Sequence, residues 1–334
     1  MTKAADSITR RMDFKEIGKK YGIVIVLILM IIGLSIAQPA FLSSTNIFNV
    51  LTQSTIFGIM ALGMTFVIIS TGIDLSVGSV LAFSGVVAAS LAQAANATGK
   101  YFPHLAEMPV IVPIIAALAI GTLCGAISGI LIAKTRIPAF IATLGMMTVA
   151  RGFALIYTAG KPVSTLIPSM NALGGKVFNM IPVPVIIYFI MIVISTILLN
   201  KTKFGKNVYA IGGNVTAAEV SGVNVSKTLI MIYAYSGLMA GLAAIVFAGR
   251  VGSVHPGAAT GYELTAIAST SIGGTSFSGG IGTIWGSFVG AMVLAVLRNG
   301  LTLLNVDAYW QQVAEGCIIV GAVIVDMRKN AKRD

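Results

Sequence analysis

The chain has 334 residues, 56% of them hydrophobic and only 10% charged, with a mean hydropathy of +0.93 and a formal net charge of +11. That composition excludes an ordinary soluble domain. His104 and His255 stand far apart with no cysteine beside them, so no metal site with ligand spacing is present.

Apolar windows long enough to cross a hydrocarbon layer of about 30 Å recur along the chain. They predict spans near 22–39, 47–70, 77–95, 110–133, 139–159, 183–200, 228–249, 256–275, 283–304 and 309–326. The expected fold is an all-α polytopic membrane protein of about ten transmembrane helices. It divides into a cytoplasmic N-terminal segment (1–21), a membrane domain (22–326) and a cytoplasmic tail (327–334). The window at 256–275 is rich in Gly, Ser and Thr and predicts a broken or re-entrant helix lining a cavity. The 37 glycines suit close approach of membrane helices. Cys124 and Cys317 fall inside apolar windows and read as small buried hydrophobes rather than a disulfide.

The basic residues follow this topology. With the N-terminus inside, residues 1–20, 134–136, 201–227 and 328–333 hold sixteen of the 22 Lys and Arg. Both termini are then cytoplasmic by the positive-inside rule. The positive charge is therefore a membrane-orientation signal, not a nucleic-acid footprint. No phosphate-binding loop of the form G-x-x-x-x-G-K-[ST] occurs, and "SFSGG" at 276–280 reads as helix-break chemistry. The chain is expected to carry no ATPase of its own and to bind no cofactor.

In the expected cytoplasmic loop 201–227, "TAAE" reads as a capping box. Thr216 caps a short helix, Ala217 to Ser221, and Glu219 reaches back to the cap. Gly222 stops the helix, and Gly212 and Gly213 form a flexible pair before it. The small side chains Ala217, Ala218 and Ser221 are expected on its surface. Two readings stand for this element, a tidy connection or a knob that seats in a partner's groove.

"GIDLSVGS" at 72–79 places an acid inside an apolar region. Asp74 is expected to cap the helix beginning near Leu75, and a gate or substrate contact is the second reading. Shifting the chain by 202 residues aligns Gly72 with Gly274, Ser76 with Ser278 and Gly78 with Gly280, which suggests an internal repeat. A hydrated, uncharged solute would need a path with weak polar contacts. Gln53, Thr55, Asp74, Ser76, Gly78, Ser278 and Asn299 are the candidates, against the alternative that such groups bond between helices of one subunit. Acids within spans would instead mark an ion-coupled transporter. Of Asp74, Glu263, Asp307 and Glu315, only Glu315 sits clearly within an unbroken span, Glu263 falling in the broken window 256–275, and Arg151 or Arg298 is available to neutralise Glu315.

"GIDLSVGS", "RIPAFIATLGMM", "YAIGGNVTAAEVSGVNVSK", "ATGYELTAIA" and "GGTSFSGGIGTIWGSFVGA" occur in this order. Together they resemble the permease subunits of bacterial ABC sugar importers of the ribose, xylose and galactose group, the ribose branch most of all. The resemblance runs from about residue 22 to 326, with "ATGYEL" where familiar members read "GTGYEL". It implies a multi-pass inner-membrane protein working as a homodimer or as a heterodimer with a paralogue. It also implies a separate cytoplasmic ATPase using ATP and Mg, and an extracytoplasmic sugar-binding protein. The family's coupling helix falls on Gly213, Asn214, Thr216, Ala217, Ala218, Glu219, Ser221 and Gly222, which favours the docking reading. A ribose-like pentose or related monosaccharide is the implied solute. A nucleoside, a branched-chain amino acid or a furanosyl signal is the alternative within the same superfamily.

Overall fold

The computed structural model describes residues 14–178 and 180–330. The predicted N-terminal segment up to residue 13 and the last four residues of the tail lie outside them. Among the described residues the chain is helical almost throughout. The helices are α1 (Phe14–Ala37), α2 (Ser44–Ile69), α3 (Val77–Leu91), α4 (Ile111–Thr135), α5 (Ala139–Thr158), the single turn α6 (Pro168–Asn171) and α7 (Val183–Lys201). They continue with α8 (Lys203–Gly213), α9 (Val215–Val220), α10 (Val225–Val251), α11 (Tyr262–Ile272), α12 (Ile284–Leu303) and α13 (Ala308–Asn330).

Every predicted apolar window is occupied by a helix. Six of them, α2, α4, α5, α7, α10 and α12, are each long and apolar enough to cross a membrane. The protein is polytopic in the membrane. α3 and α11 are shorter than their windows: 15 residues and 11 residues reach about 22 and 16 Å at 1.5 Å per residue. α11 therefore spans about half the hydrocarbon thickness, as its Gly, Ser and Thr content predicts. α1 begins at Phe14, so the expected N-terminal segment is already helical before residue 22.

Two helices organise the bundle. α2 is almost wholly buried along its second half, with Ile59, Met60, Leu62, Met64 and Phe66 inaccessible to solvent. α10 crosses α4 at the closest approach small residues allow. Gly121, Gly125 and Gly129, one per turn on α4, lie against the backbone of Gly237, Gly241, Tyr233 and Ile230, and a Cβ at any of the three would strike that backbone.

α10 runs between the two ends of the bundle. Its start joins α9, and its end packs Gly249 against Gly174. Around that second end lie the short antiparallel pairs β1 (Val163–Ser164) with β4 (Ser253–Val254), and β2 (Lys176–Val177) with β3 (Ile181–Pro182). Helix starts are capped where the sequence supplies a polar side chain: Ser43 accepts from the Asn46 N–H, Thr202 from Gly205, Asn224 from Lys227 and Thr283 from Gly286.

The two cysteines are free. Cys124 is buried as expected, but Cys317 on α13 is exposed.

Candidate coupling surface and solute path

The segment after α7 folds as two helices. α8 is capped by Thr202 and runs through Gly213, so Gly212 and Gly213 form its last turn and are not a flexible pair. Asn214, in extended conformation, then caps α9: its Oδ1 accepts from the Ala217 N–H at 2.9 Å. The cap is thus Asn214 rather than Thr216, which sits inside α9, and the Glu219 carboxylate makes no hydrogen bond among the described residues. Gly222 ends the helix with φ +83°, as predicted. Its N–H donates to the Glu219 carbonyl and the Val223 N–H to Ala218, satisfying the last turn.

Ala218, expected on the surface, is instead buried, with Ala217 and Ser221 exposed beside it. The exposed apolar contribution comes from Val220, 86% accessible, and Val215. A six-residue helix with a bare valine at its crest is a small, shaped projection.

α8 ties this projection to two helix breaks. Gly212 packs against the carbonyl of Ile69, the last residue of α2, and against Gly280 in the segment joining α11 to α12. The Gly280 N–H donates to that same Ile69 carbonyl at 2.9 Å. The Tyr209 hydroxyl donates to the Gly282 carbonyl at 2.7 Å, and burial holds its phenol above the ordinary range, keeping the proton for that bond. Phe204 stacks on Phe66 of α2 at 5.7 Å between centroids.

In the first break, residues 70–76, Thr71 is exposed with φ +64°, Ile73 and Leu75 are half-buried, and Ser70, Gly72, Asp74 and Ser76 are buried. α3 begins at Val77 rather than near Leu75, and Asp74 is not its cap residue. One carboxylate oxygen accepts from the Ser76 N–H at 2.9 Å and from the Ser76 hydroxyl at 2.6 Å. The other accepts from the Ser236 hydroxyl at 2.7 Å. Ser236 lies eleven residues into α10, about 17 Å from its start. Asp74 therefore sits near mid-depth of the bundle as a buried acid that pins the break to α10, and Glu315 is not alone as a deep carboxylate. Thr143 of α5 donates to the Ile73 carbonyl at 3.2 Å, and Gly78 leaves room for Glu263 and the Ala259 carbonyl at the start of α11. The short helices α3 and α11 thus begin beside each other inside the protein.

The 202-residue repeat holds as two helix breaks and fails as a register. Gly78 is helical, whereas Gly280 is in a loop with φ +68°, and α12 starts only at Ile284. Ser278 is exposed in that longer loop.

The remaining path candidates separate. Thr55 is buried and bonds the Thr52 carbonyl within α2. Asn299 of α12 exchanges two 2.9 Å hydrogen bonds with Asn46 of α2, a reciprocal amide pair joining the helices. Both are interhelical or local structure in this subunit. Gln53 lines a cavity of about 180 Å³ with Ile56, Phe57, Arg250, Tyr262, Ala295 and Arg298.

Arg298 is the partner of Glu315. The guanidinium grips both carboxylate oxygens, at 2.6 and 2.8 Å from Nη2, and Thr265 donates to Glu315 at 2.8 Å. Arg151 instead donates to the carbonyls of Pro256 and Ala258. Ser236, Asn46, Tyr209 and Ile69 were not among the predicted residues. Ser236 and Asn46 had one sequence signal, a polar side chain within or beside an apolar window.

A model of the branched-chain amino acid transport system / permease component family matches residues 46–323. The ribose import permease protein RbsC of Escherichia coli K12 is 43% identical over 310 residues, 91% of this chain and 92% of that protein. RbsC of Bacillus subtilis 168 is 40% identical over 324 residues, 96% and 97% of the two chains. The galactose/methyl galactoside import permease protein MglC of E. coli K12 is 38% identical over 334 residues, 98% and 99%. No solved structure matches the chain.

Proposed function

The chain belongs to the branched-chain amino acid transport system / permease component family, and from that premise we propose that it is the membrane subunit of an ATP-driven importer of a monosaccharide. The observation that carries the sugar reading is that relatives sharing about two residues in five across more than nine tenths of the chain are named as ribose and galactose permeases. The protein sits in the bacterial inner membrane with ten crossings and both termini in the cytoplasm. It pairs with a second permease chain. It works with a cytoplasmic ATPase, which uses ATP and Mg, and with an extracytoplasmic sugar-binding protein.

In this reading α9 is the docking knob. Val215, Ala217 and Val220 present a small apolar crest beside the Ser221 hydroxyl, and Asn214 and Gly222 fix its two ends. Closure of the ATPase displaces α9 and with it α8. Gly212 and Tyr209 then carry the displacement to the end of α2 and to the 273–283 segment. Asp74 and Ser236 hold the facing break to α10, so that α2, α3, α10 and α12 respond as connected levers. The chain itself makes and breaks no covalent bond.

The test is uptake of labelled ribose and galactose by a deletion strain carrying this permease with its ATPase and binding protein. Uptake that survives an uncoupler and stops on ATP depletion is expected. Uptake abolished by the uncoupler with ATP maintained returns the protein to the ion-coupled class, and leucine uptake in place of sugar uptake returns it to the amino-acid branch.

A further inference from the structure

The cavity at the end of the bundle away from α9 contains polar groups that the helix-joining networks do not consume. Gln53 of α2 and Arg250 at the close of α10 make no side-chain hydrogen bond or ion pair among the described residues, and both face the cavity. Tyr262 and Arg298 line it too, and both also line an adjoining cleft of about 590 Å³ that adds Thr260, Gln311 and Gln312. The inner cavity alone is large enough to hold several waters.

The chemistry selects among solutes. Arg298 is fixed by its two-pronged grip on Glu315, which Thr265 also holds, leaving Arg298 Nη1 without a protein partner among the described residues. Glu315 is therefore occupied. A zwitterionic amino acid would find a cation in Arg250 for its carboxylate but, among the described residues, no free carboxylate lining the cavity for its ammonium group. A neutral polyol suits the set: its hydroxyls accept from Arg250, Arg298 Nη1 and the Gln53 amide, donate to the Gln53 carbonyl oxygen, and lay a C–H face on Tyr262. A site built for hydroxyls disfavours solutes that lack them, because its polar groups are then left unpaired.

We propose that Gln53, Arg250, Tyr262 and Arg298 form a low-affinity contact site for a neutral carbohydrate, where the solute pauses after entering the permease. The site rests on the importer reading and adds to it a place and a chemical preference.

The assembled transporter in lipid nanodiscs tests it, with Cys124→Ala and Cys317→Ala removing the native thiols. Gln53→Cys and Arg250→Cys are separate reporters, so a folding failure of one leaves the other, and Lys161→Cys, exposed after α5, is the control. Ribose or galactose in the millimolar range should slow labelling of the reporters by a water-soluble thiol reagent, roughly threefold at twice the dissociation constant. Labelling at Lys161→Cys should not change. Equal labelling with and without sugar at both reporters, in a system whose wild-type form imports that sugar, overturns the site and leaves the importer reading standing. Protection by leucine and not by sugar overturns the carbohydrate assignment. A wild-type system that imports neither sugar overturns both readings.

Discussion

The Gly280 N–H and the Ile69 carbonyl meet at 2.9 Å, and Gly212 of α8 is seated on both. A side chain at residue 212 must displace one of the two helix breaks. Gly212→Val is expected to lower sugar uptake by more than tenfold while the ATPase still co-purifies, since α9 keeps its cap and its exposed crest. Loss of co-purification in a properly inserted variant would show that the seat shapes the docking surface instead of transmitting its movement.

The crest of α9 predicts a different phenotype. Val220→Asp puts a charge where a partner would need a dry contact, without touching the permease interior. Membrane insertion and thermal stability should match the wild type, and co-purification of the ATPase should fall sharply. Ala218→Leu should behave otherwise: Ala218 is buried, so the larger side chain strains the loop at a cost of about 1–3 kcal/mol and lowers the melting temperature. Equal melting temperatures for Val220→Asp and Ala218→Leu would contradict this division.

Asp74 separates by substitution. Asn at this position keeps a carbonyl acceptor for the Ser76 N–H, and the Ser236 hydroxyl rotates to accept from the new amide. Ala leaves the Ser76 N–H and the Ser236 hydroxyl buried without their partner, at about 1–3 kcal/mol for each unsatisfied group. Thermal unfolding in detergent should therefore rank wild type, Asp74→Asn, then Asp74→Ala, with Asn the nearer to wild type. Severe transport loss in a stable Asn variant would instead identify the carboxylate as a gate contact.

Local chemistry made the helices and the α9 projection legible, because apolar windows, glycine stops and capping side chains act within a few residues. The capping frame slipped by two positions for a local reason: Asn214 and Thr216 are both competent caps, and the choice falls to whichever stands where α8 ends. The larger misses are tertiary. Asp74 owes its place to Ser236, 162 positions away, and Asn299 owes its role to Asn46, 253 away. No pattern near either residue names such a partner. The burial of Ala218 likewise depends on how α9 lies against its neighbours.

The Asn46–Asn299 pair can be measured as a coupling. Either single Ala variant strands a buried amide, whereas the double variant removes both, so the two losses should not add. An interaction energy of about 1 kcal/mol or more is expected from a cycle of unfolding midpoints. A cycle that closes at zero would mean the amides are solvated independently.

The Arg298–Glu315 pair allows structural and solute roles to be told apart. Removing one member of a fully buried ion pair costs about 3–5 kcal/mol because the other charge is left unpaired. Here the Arg298 side chain is 29% exposed and that of Glu315 11%, so water offsets part of the loss. Arg298→Met should be the more damaging single change, since it leaves the less accessible carboxylate alone beside Thr265. Combining it with Glu315→Leu removes both charges and should recover most of the melting temperature, as apolar replacements of buried pairs commonly do. If Arg298 also contacts the solute, the recovered double variant will fold and insert yet still import sugar poorly. Full recovery of uptake together with stability would make the pair structural only.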